Sequence, residues 1–250
     1  MSGIYKQTMI ALFSDFSFSD PYVGLMKIEI YKRVPNTTII DICHDLPAFN
    51  PNASGRLLQA LVKNLPENTI VLAVVDPGVG TDRHALWLEV DGKHFIGPDN
   101  GLFARIVNEA QQVSAHIIEY DKTKVSASFH GRDVFAPFAA DLELGLQPVS
   151  KPIESDSLVG HDWSTQLAKV IYIDHYGNVM TGISASAVKK SSEIRIKNMR
   201  LQYARTFADA NNDTMFWYKN SLGLIELAMF GQSLQTELSV QLGDNVILYE

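Results

Sequence analysis

The chain has 250 residues and a formal net charge of −7, and 46% of its residues are hydrophobic. The acidic balance argues against nucleic acid as the main partner, because phosphate binding requires a basic face. The single cysteine, Cys43, excludes an internal disulfide and suits a reducing compartment. No apolar run approaches the roughly 20 residues of a membrane helix, and residues 1–15 show no signal-peptide pattern. We therefore expect a cytoplasmic protein that does not bind membranes.

Residues 1–150 alternate strand-like and helix-like segments, which predicts a largely parallel sheet sandwiched by helices. Continuous or short apolar runs bounded by turn residues indicate the strands, and apolar residues at helical spacing indicate the helices. In chain order, the prediction is a strand at 9–13, a helix after 19–21, a strand at 37–43, a helix at 52–65, a strand at 69–75, a strand pair at 85–90 and 93–96, a helix at 102–110, a strand at 115–119 and a helix at 134–144.

The pattern changes after residue 150. Residues 151–165 are polar and contain proline and glycine, which predicts a linker. Residues 166–250 then carry short β-type runs, which favour a smaller antiparallel β-barrel domain. These runs lie at 168–173, 179–183, 193–196, 198–203, 214–219, 223–229 and 245–249. The predicted fold class is therefore α/β, with a parallel-sheet domain at 1–150 and a barrel domain at 166–250.

Polar and charged side chains follow the predicted strands of the first domain. Since the carboxyl ends of parallel strands meet at one edge of a sheet, we expect these side chains to line one crevice. The candidates are Asp15 after the first strand, His44 and Asp45 after the second, Asp76 and Arg83 after the third, and His130 in the stretch FHGRD. A histidine in a glycine-containing loop beside charged groups is well suited to proton exchange.

Most of the neighbouring polar residues also have structural explanations. For Asp20 and Asp133 we favour helix capping, and Arg132 is expected to pair with a carboxylate such as Asp133. His44 is either a hydrogen-bonded core histidine or part of the crevice. Asn100, in the run GPDNG, either forms a plain turn or faces a ligand.

The second half of the chain has two further polar stretches. YIDHYGN places Asp174 and Asn178 at a strand end, where an ordinary turn is the alternative explanation. NSLGLIELAM sets Ser221 and Glu226 around a glycine. Because Glu226 alternates with apolar neighbours, a solvent-facing strand position is its structural explanation.

Several common catalytic motifs are absent from the sequence. It contains no dinucleotide-binding glycine fingerprint, no P-loop, no nucleophile elbow, no HExxH motif and no paired cysteines. The sequence therefore implies no nucleotide cofactor and no metal through a recognised motif.

Six stretches, taken together in chain order, resemble the S-adenosyl-L-methionine hydrolase family, also called the S-adenosylmethionine hydroxide adenosyltransferases. They are SDF with the following YVG and MK, then DICHDLPAFN, AVVDPGVGTDR, IGPDNGLF, FHGRDVFAP and IDHYGN. This family is related to fluorinating and chlorinating enzymes that act on the same substrate. The similarity spans nearly the whole chain, which makes the combined match specific.

The resemblance implies an N-terminal α/β domain, a C-terminal β-barrel, and hydrolysis of S-adenosyl-L-methionine to adenosine and L-methionine without a cofactor or metal. It also implies a homotrimer whose active sites lie between the N-terminal domain of one subunit and the C-terminal domain of the next. The residues carried over are the water-handling Asp76, Arg83 and His130, the ribose-binding Asp15, the aromatic Phe49, and the adenine and methionine contacts Asp174, Asn178, Ser221, Glu226 and Met229.

Two departures from the halogenating relatives bear on the nucleophile. Those enzymes have a tyrosine at the position of Asp76 and an extra loop near Asp91 and Gly92, and this chain has neither. Both differences favour water over halide. The run LAMFGQSLQTEL also differs from the usual continuation, so no contact beyond Met229 is carried over.

Two other functions are compatible with the same residues. A metal-dependent hydrolase, for example of phosphoesters, would use Asp15, His44, Asp45, Asp76 and His130 as ligands. A non-catalytic protein that binds adenosine or S-adenosylmethionine would show affinity without turnover.

Overall fold

The computed structural model describes residues 8–210 and 213–249. By its internal contacts the chain divides into two compact units. The first consists of the residues up to Gly55 together with Asn64–Trp163, and the second consists of Arg56–Lys63 and the residues from Ser164 onwards. Each unit contains one seven-stranded sheet.

The first unit is built on a mixed sheet with the strand order β2-β1-β3-β5-β4-β6-β7. The first four strands in this order, β2, β1, β3 and β5, are parallel to one another. Strands β4, β6 and β7 add antiparallel pairings. The strands are β1 Met9–Ser14, β2 Thr38–Cys43, β3 Thr69–Val74, β4 Ala85–Val90, β5 Lys93–Pro98, β6 Val113–Ile118 and β7 Ser150–Pro152. The helices before residue 164 are α1 Tyr22–Arg33, α2 Pro51–Val62, α3 Ala104–Glu109 and α4 Ala136–Glu143. The residues of α2 from Arg56 onwards belong to the second unit.

Burial explains why the central strands read as continuous apolar runs. All six residues of β3 are buried, as expected for a strand that is covered on both faces. Helices α1 and α4 pack over one face, where Met26 and Phe138 join Leu12 and Leu72 in the core. On the other face the ring of Phe95 contacts the ring of Phe103. The largely parallel sheet with helices that the sequence predicts is thus confirmed.

The second unit is a nearly closed barrel with the strand order β14-β10-β11-β12-β13-β9-β8. A bridge between Lys169 and Asn245 connects the two ends of the sheet. The strands are β8 Leu167–Ile173, β9 Val179–Ser184, β10 Glu193–Ile196, β11 Met199–Tyr203, β12 Met215–Lys219, β13 Leu224–Met229 and β14 Val246–Tyr249, and α5 spans Leu234–Leu238. The predicted barrel is confirmed, and most of its pairings are antiparallel.

Among the described residues of the barrel, one strand pairing is parallel. Gln202 and Tyr203 of β11 pair in parallel with Phe216 and Trp217 of β12. Parallel neighbours cannot be joined by a tight hairpin, so the chain needs a crossover connection between them. Residues 204–214 provide it, and this connection carries Phe207.

Several element boundaries differ from the prediction. Helix α3 is shorter than the predicted 102–110, and the predicted helix at 134–144 begins with a π-helical turn at Gly131–Phe135 before α4. The segment 151–165 contributes to β7 and a short 3₁₀ turn at Ser155–Ser157. Helix α5 has five residues, too few for a recognisable periodicity.

Within the described part of the chain, no helix combines the length and the apolar character that crossing a lipid bilayer would require.

Candidate active site

The topology of the first sheet gathers several loops at one edge. Strands β1, β3 and β5 are parallel neighbours, so Asp15 after β1 and Asp76 after β3 emerge side by side. Strand β4 runs antiparallel to β5, with Ala85 opposite Pro98, so the segment that precedes β4 starts at the same edge. That segment carries Arg83, which the sheet order therefore brings towards Asp76.

Asp76 and Arg83 form a two-point ion pair. Arg83 Nε donates a hydrogen bond to Asp76 Oδ1 at 3.0 Å, and Arg83 Nη2 donates to Asp76 Oδ2. Both side chains are largely buried, with 8% of Arg83 and 5% of Asp76 exposed. A planar guanidinium matches a carboxylate at both oxygens. The pair therefore fixes the plane of the Asp76 carboxylate.

His130 extends this pair into a chain of three side chains. Its Nδ1 lies 3.0 Å from Arg83 Nη2. Because a guanidinium can only donate, Nδ1 accepts, and the neutral ring carries its proton on Nε2. Burial lowers the pKa of His130, and the positive charge of Arg83 lowers it further. The structure thus brings Asp76, Arg83 and His130 together in the arrangement that the sequence-based hypothesis requires.

A cleft of about 580 Å³ opens beside this chain of residues. Of the three, Asp76 lines the cleft, together with Asp15 and Phe49. A volume of this order suits a small organic ligand. Asp76 is thus the member of the set that a molecule in the cleft would touch, with Arg83 and His130 as its support.

Asp15 is tied to the backbone of the opposite loop. The Phe49 N–H donates to Asp15 Oδ2 at 3.0 Å. Burial raises the pKa of Asp15, and the nearby negative charge of Asp76 raises it further, although backbone hydrogen bonds counteract part of the shift. Phe49 adopts a left-handed backbone conformation with φ of +59°, and 78% of the residue is exposed. Its ring is therefore free to pack on a ligand.

Aromatic side chains that sequence reasoning did not single out form much of the cleft wall. The rings of Phe16, Tyr22 and Phe129 contact one another with centroid separations of 5.3–5.8 Å. All three line the cleft with Arg132, whose guanidinium lies over the Phe129 ring. Their signal was present, since each is an apolar residue inside an otherwise polar motif, directly beside Asp15, Pro21 or His130.

The predicted helix cap at Asp20 is wrong. Pro21 occupies the N-cap position of α1, without a side-chain hydrogen bond, and Asp20 instead lines the cleft. Asp133 lies in the first helical turn after His130, as expected for an acidic residue at a helix N-terminus, and it also accepts hydrogen bonds from the Ser126 N–H and from Arg132. The expected pairing of Arg132 with Asp133 is confirmed.

His44 is a hydrogen-bonded core histidine. It is fully buried, with Nδ1 2.6 Å from the Ser14 hydroxyl and Nε2 3.0 Å from Asp41 Oδ1. Asn100 likewise has a local role, because its side-chain N–H donates to the Val75 carbonyl at 2.8 Å. Both residues therefore stabilise neighbouring segments through hydrogen bonds, and neither lines the cleft.

The second unit has a cleft of its own, of about 620 Å³. Four of the residues named from the sequence line it, namely Asp174, Asn178, Glu226 and Met229. Ser221 does not line this cleft and is exposed in the turn between β12 and β13. Residues that the sequence did not suggest include Tyr176, Phe207 and Tyr218. The exposed rings of Tyr176 and Phe207 offer flat apolar surfaces to a ligand.

Asp174 organises a tight turn at the rim of this second cleft. Its Oδ1 accepts from the backbone N–H groups of Tyr176 and Asn178 at 2.9 and 2.8 Å, and its Oδ2 accepts from the Asn178 side chain at 2.9 Å. The ordinary turn that the sequence analysis gave as the alternative explanation for Asp174 and Asn178 is therefore present. The same turn presents both polar side chains to the cleft.

Glu226 is buried, so the solvent-facing position expected from the alternating pattern is wrong. The Tyr218 hydroxyl donates to Glu226 Oε1, and the Asn220 side chain donates to Oε2 at 2.8 Å. Burial raises the pKa of Tyr218, and the hydrogen bond to Glu226 raises it further. Tyr218 therefore keeps its proton and holds the Glu226 carboxylate in place.

Across residues 8–210 and 213–249, no three His, Cys, Asp or Glu side chains are grouped so that they could hold a metal ion. His44 in particular is bonded to Ser14 and Asp41 rather than to the other proposed ligands. The ligand set required by the metal-dependent hypothesis is thus not assembled.

Gly80 permits the close approach of the two loops that carry Asp76 and His130. Its φ is +81°, and a Cβ at this position would lie 2.5 Å from the Ala127 carbonyl oxygen. Gly92 has a similar φ of +76°, but a Cβ there would meet no atom within 4 Å. Substituting Gly92 therefore measures the energetic cost of the left-handed backbone alone, whereas substituting Gly80 measures that cost together with the steric clash.

We expect Gly80→Ala to lower the free energy of unfolding more than Gly92→Ala does. Both variants carry the left-handed penalty of about 1–2 kcal/mol, and only Gly80→Ala adds the clash with Ala127. Urea denaturation of both variants and the wild type measures the difference. Equal losses would show that the loops do not depend on close approach at Gly80.

Comparison with known proteins finds relatives over most of the chain. Residues 10–151 match the model of the SAM hydroxide adenosyltransferase N-terminal domain, and residues 168–247 match that of the C-terminal domain. A solved structure of an uncharacterized conserved protein from Thermotoga maritima superposes with a TM-score of 0.85 at 28% identity, covering 96% of this chain and 100% of the other.

Relatives with assigned names lead to the same family. The (R)-S-adenosyl-L-methionine hydrolase of Thermus thermophilus is 32% identical over 92% of this chain and 95% of its own length, and that of Salinispora arenicola is 31% identical over 95% and 96%. A fluorinase of Nocardia brasiliensis is more distant, at 24% identity over 96% of each chain. This chain belongs to the SAM hydroxide adenosyltransferase family.

Proposed function

We propose that this protein hydrolyses S-adenosyl-L-methionine to adenosine and L-methionine. The two relatives just described are named for the R epimer, so we propose the R configuration at sulfur for the preferred substrate. The observation that carries the proposal is the buried chain of Asp76, Arg83 and His130 beside a cleft that also contains Asp15.

The chemistry requires a positioned nucleophile above all. The water oxygen bonds to the 5′ carbon while the carbon–sulfur bond breaks, the electron pair of that bond stays on sulfur, and a water proton is released. Methionine leaves as a neutral thioether, which is a good leaving group. Holding the water in line behind the bond can contribute about 7–11 kcal/mol of the barrier reduction.

Asp76 is the group proposed to orient the water and accept its proton. It lines the cleft, and its paired oxygens retain lone pairs that point away from Arg83. His130 is less suited to be the base, because Arg83 donates to its Nδ1 and leaves the proton on Nε2. In this assignment His130 fixes Arg83, and Arg83 fixes the carboxylate.

Asp15 and Phe49 are proposed to bind the ribose end of the substrate. A carboxylate accepts two hydrogen bonds, which matches the paired 2′ and 3′ hydroxyl groups of a ribose. Asp15 lies in the same cleft as Asp76, and the exposed ring of Phe49 lies beside it. The sugar would thus be held on one side while its 5′ carbon faces Asp76.

The cleft of the second unit is proposed to bind the adenine and methionine ends. Asp174, Asn178, Glu226 and Met229 line it, and Ser221 is carried over from the family resemblance. Because both oxygens of Glu226 are already engaged, we assign it the positioning of Tyr218. The ring of Phe207 supplies a stacking surface for the base.

We propose a homotrimer in which the first cleft of one subunit is completed by the second cleft of its neighbour. Each cleft alone supplies part of the required contacts, which supports this arrangement. We also propose a cytoplasmic protein without nucleic-acid or membrane partners, which the single cysteine and the net charge of −7 support.

The decisive test is product analysis with the purified protein. We expect equal amounts of adenosine and methionine from S-adenosyl-L-methionine, and the new hydroxyl of adenosine should carry oxygen-18 when the reaction runs in labelled water. Comparing the R and S epimers tests the stereochemical preference. Tight binding without turnover would instead support the non-catalytic alternative.

Asp76→Asn tests the proposed role of the carboxylate. It removes the proton acceptor and keeps the shape, so we expect kcat to fall by about 10²–10⁴-fold. Asp82→Asn is the matched control, since Asp82 belongs to the same loop and its side chain is fully exposed beside Lys122. Equal activity in the two variants would remove Asp76 from the mechanism.

The raised pKa of Asp15 predicts an acid limb in KM. Protonated Asp15 accepts the ribose hydroxyls less well, so KM should rise as the pH falls through a pKa above the usual value of about 3.9. Steady-state kinetics against pH measure this rise. In Asp15→Asn the KM should be high and pH-independent, and a persisting acid limb in KM would assign it to another group.

Mixed trimers test whether two subunits build each site. Asp76→Asn disables the first cleft and Asp174→Asn the second, so each variant alone should be inactive. When the two are co-expressed in equal amounts, about a quarter of the sites should pair two intact clefts and recover activity. No recovery, with trimers confirmed by light scattering, would place each site within one subunit.

A further inference from the structure

The chain enters α4 through a π-helical turn directly after His130. This turn spans Gly131–Phe135, and the Ala136 N–H donates to the Gly131 carbonyl five residues back. In an α-helix, side chains five positions apart point about 140° away from each other. The wider π turn brings the fifth residue back towards the same side. The turn therefore lets His130 and Phe135 face a common neighbour.

That neighbour is Arg83. His130 Nδ1 lies 3.0 Å from Arg83 Nη2, and the centre of the Phe135 ring lies 5.3 Å from the guanidinium carbon. Phe135 has no solvent exposure. A buried aromatic face at this distance attracts a guanidinium through its negative quadrupole.

The two contacts restrain different movements of the guanidinium. Asp76 and His130 bind its edges through hydrogen bonds, which fixes its position within its own plane. The guanidinium carbon lies over the Phe135 ring, so this contact opposes movement of the guanidinium away from the ring. The three neighbours together restrain the guanidinium beside Asp76.

This restraint matters because Arg83 also contacts the backbone beside a second carboxylate. Its Nη1 donates to the His84 carbonyl at 3.2 Å. The N–H of Asp99 donates to the same carbonyl at 3.0 Å, and the buried Asp99 carboxylate accepts from the Val159 N–H at one oxygen. A guanidinium free to turn towards Asp99 would leave Asp76 without its planar partner.

We propose that Phe135, brought into place by the π turn, is a positioning residue that keeps Arg83 on Asp76 rather than on Asp99. This inference rests on the proposed function, because it assigns Arg83 a part in orienting Asp76 for hydrolysis. Phe135 itself does not touch the substrate.

The test compares two phenylalanines of the same segment. Phe135→Leu removes the ring face under Arg83 and keeps an apolar side chain. Phe138→Leu is the matched control, since Phe138 is also buried but packs against Trp87. We expect Phe135→Leu to lower kcat by about 10–100-fold, as a displacement of about 1 Å in a catalytic group can do. KM should stay within about twofold in both variants.

A second readout follows Arg83 without any turnover. The charges acting on His130 come from Arg83, Asp76, Asp133 and Lys122, and its ring also contacts Tyr120. If Arg83 leaves, its positive charge no longer lowers the pKa of His130. An NMR titration should therefore show a higher pKa of His130 in Phe135→Leu and no change in Phe138→Leu.

The results separate the two proposals. If Phe135→Leu matches Phe138→Leu in kcat and in the His130 titration, the positioning role is wrong while hydrolysis stands. If the wild type does not hydrolyse the substrate, the proposed function fails, and the titration still decides whether Phe135 holds Arg83.

If Phe135→Leu does not fold, fluorinated phenylalanines at position 135 replace it as the test. They weaken the negative ring face without removing the ring, so they should lower kcat stepwise. A constant kcat across that series would overturn the proposal.

Discussion

The planar ion pair of Asp76 with Arg83 sets the geometry of the first cleft. A buried carboxylate or guanidinium without a partner is strongly destabilising, so the two side chains hold each other in place. Their meeting depends on the antiparallel strand β4, inserted between β5 and β6, because β4 begins at the sheet edge where Asp76 emerges and so keeps the loop that carries Arg83 at that edge. Gly80 then allows the loop to lie close against the segment that leads to His130. Sheet order and loop curvature therefore both serve to bring Arg83 onto Asp76, and the proposed chemistry depends on that pair.

The two clefts differ in the chemistry they offer. The first holds three carboxylates, Asp15, Asp20 and Asp76, and a wall of aromatic rings. These carboxylates suit a positively charged substrate, and their attraction for the ligand weakens once its sulfonium group becomes a neutral thioether. The second cleft combines an Asx turn at Asp174 with the buried pair of Tyr218 and Glu226. Both groups are held rigidly by hydrogen bonds, which supports the binding role proposed for this cleft.

Local sequence patterns predicted the sheets because burial leaves a direct signature. Strand β3, buried at all six positions, reads as an uninterrupted apolar run, and the Asp91-Gly92 turn marks the hairpin of β4 and β5. The roles of the site residues came from family resemblance, and only the geometry of the loops shows which of them meet. Sequence alone could not show that Pro21 replaces Asp20 at the helix start, because both are good residues there. It also could not show that Glu226 is buried, since alternation does not distinguish solvent from a polar cleft.

The parallel pairing of β11 with β12 has a consequence for the wall of the second cleft. Because those strands cannot be joined by a short turn, the connection 204–214 is long, and it carries Phe207 to the wall of the second cleft. Phe207 also packs on the rings of Phe216 and Tyr218 in β12, with centroid separations of 5.1 and 5.5 Å. One residue outside the strands thus both supports the barrel and forms part of the surface that a ligand would meet.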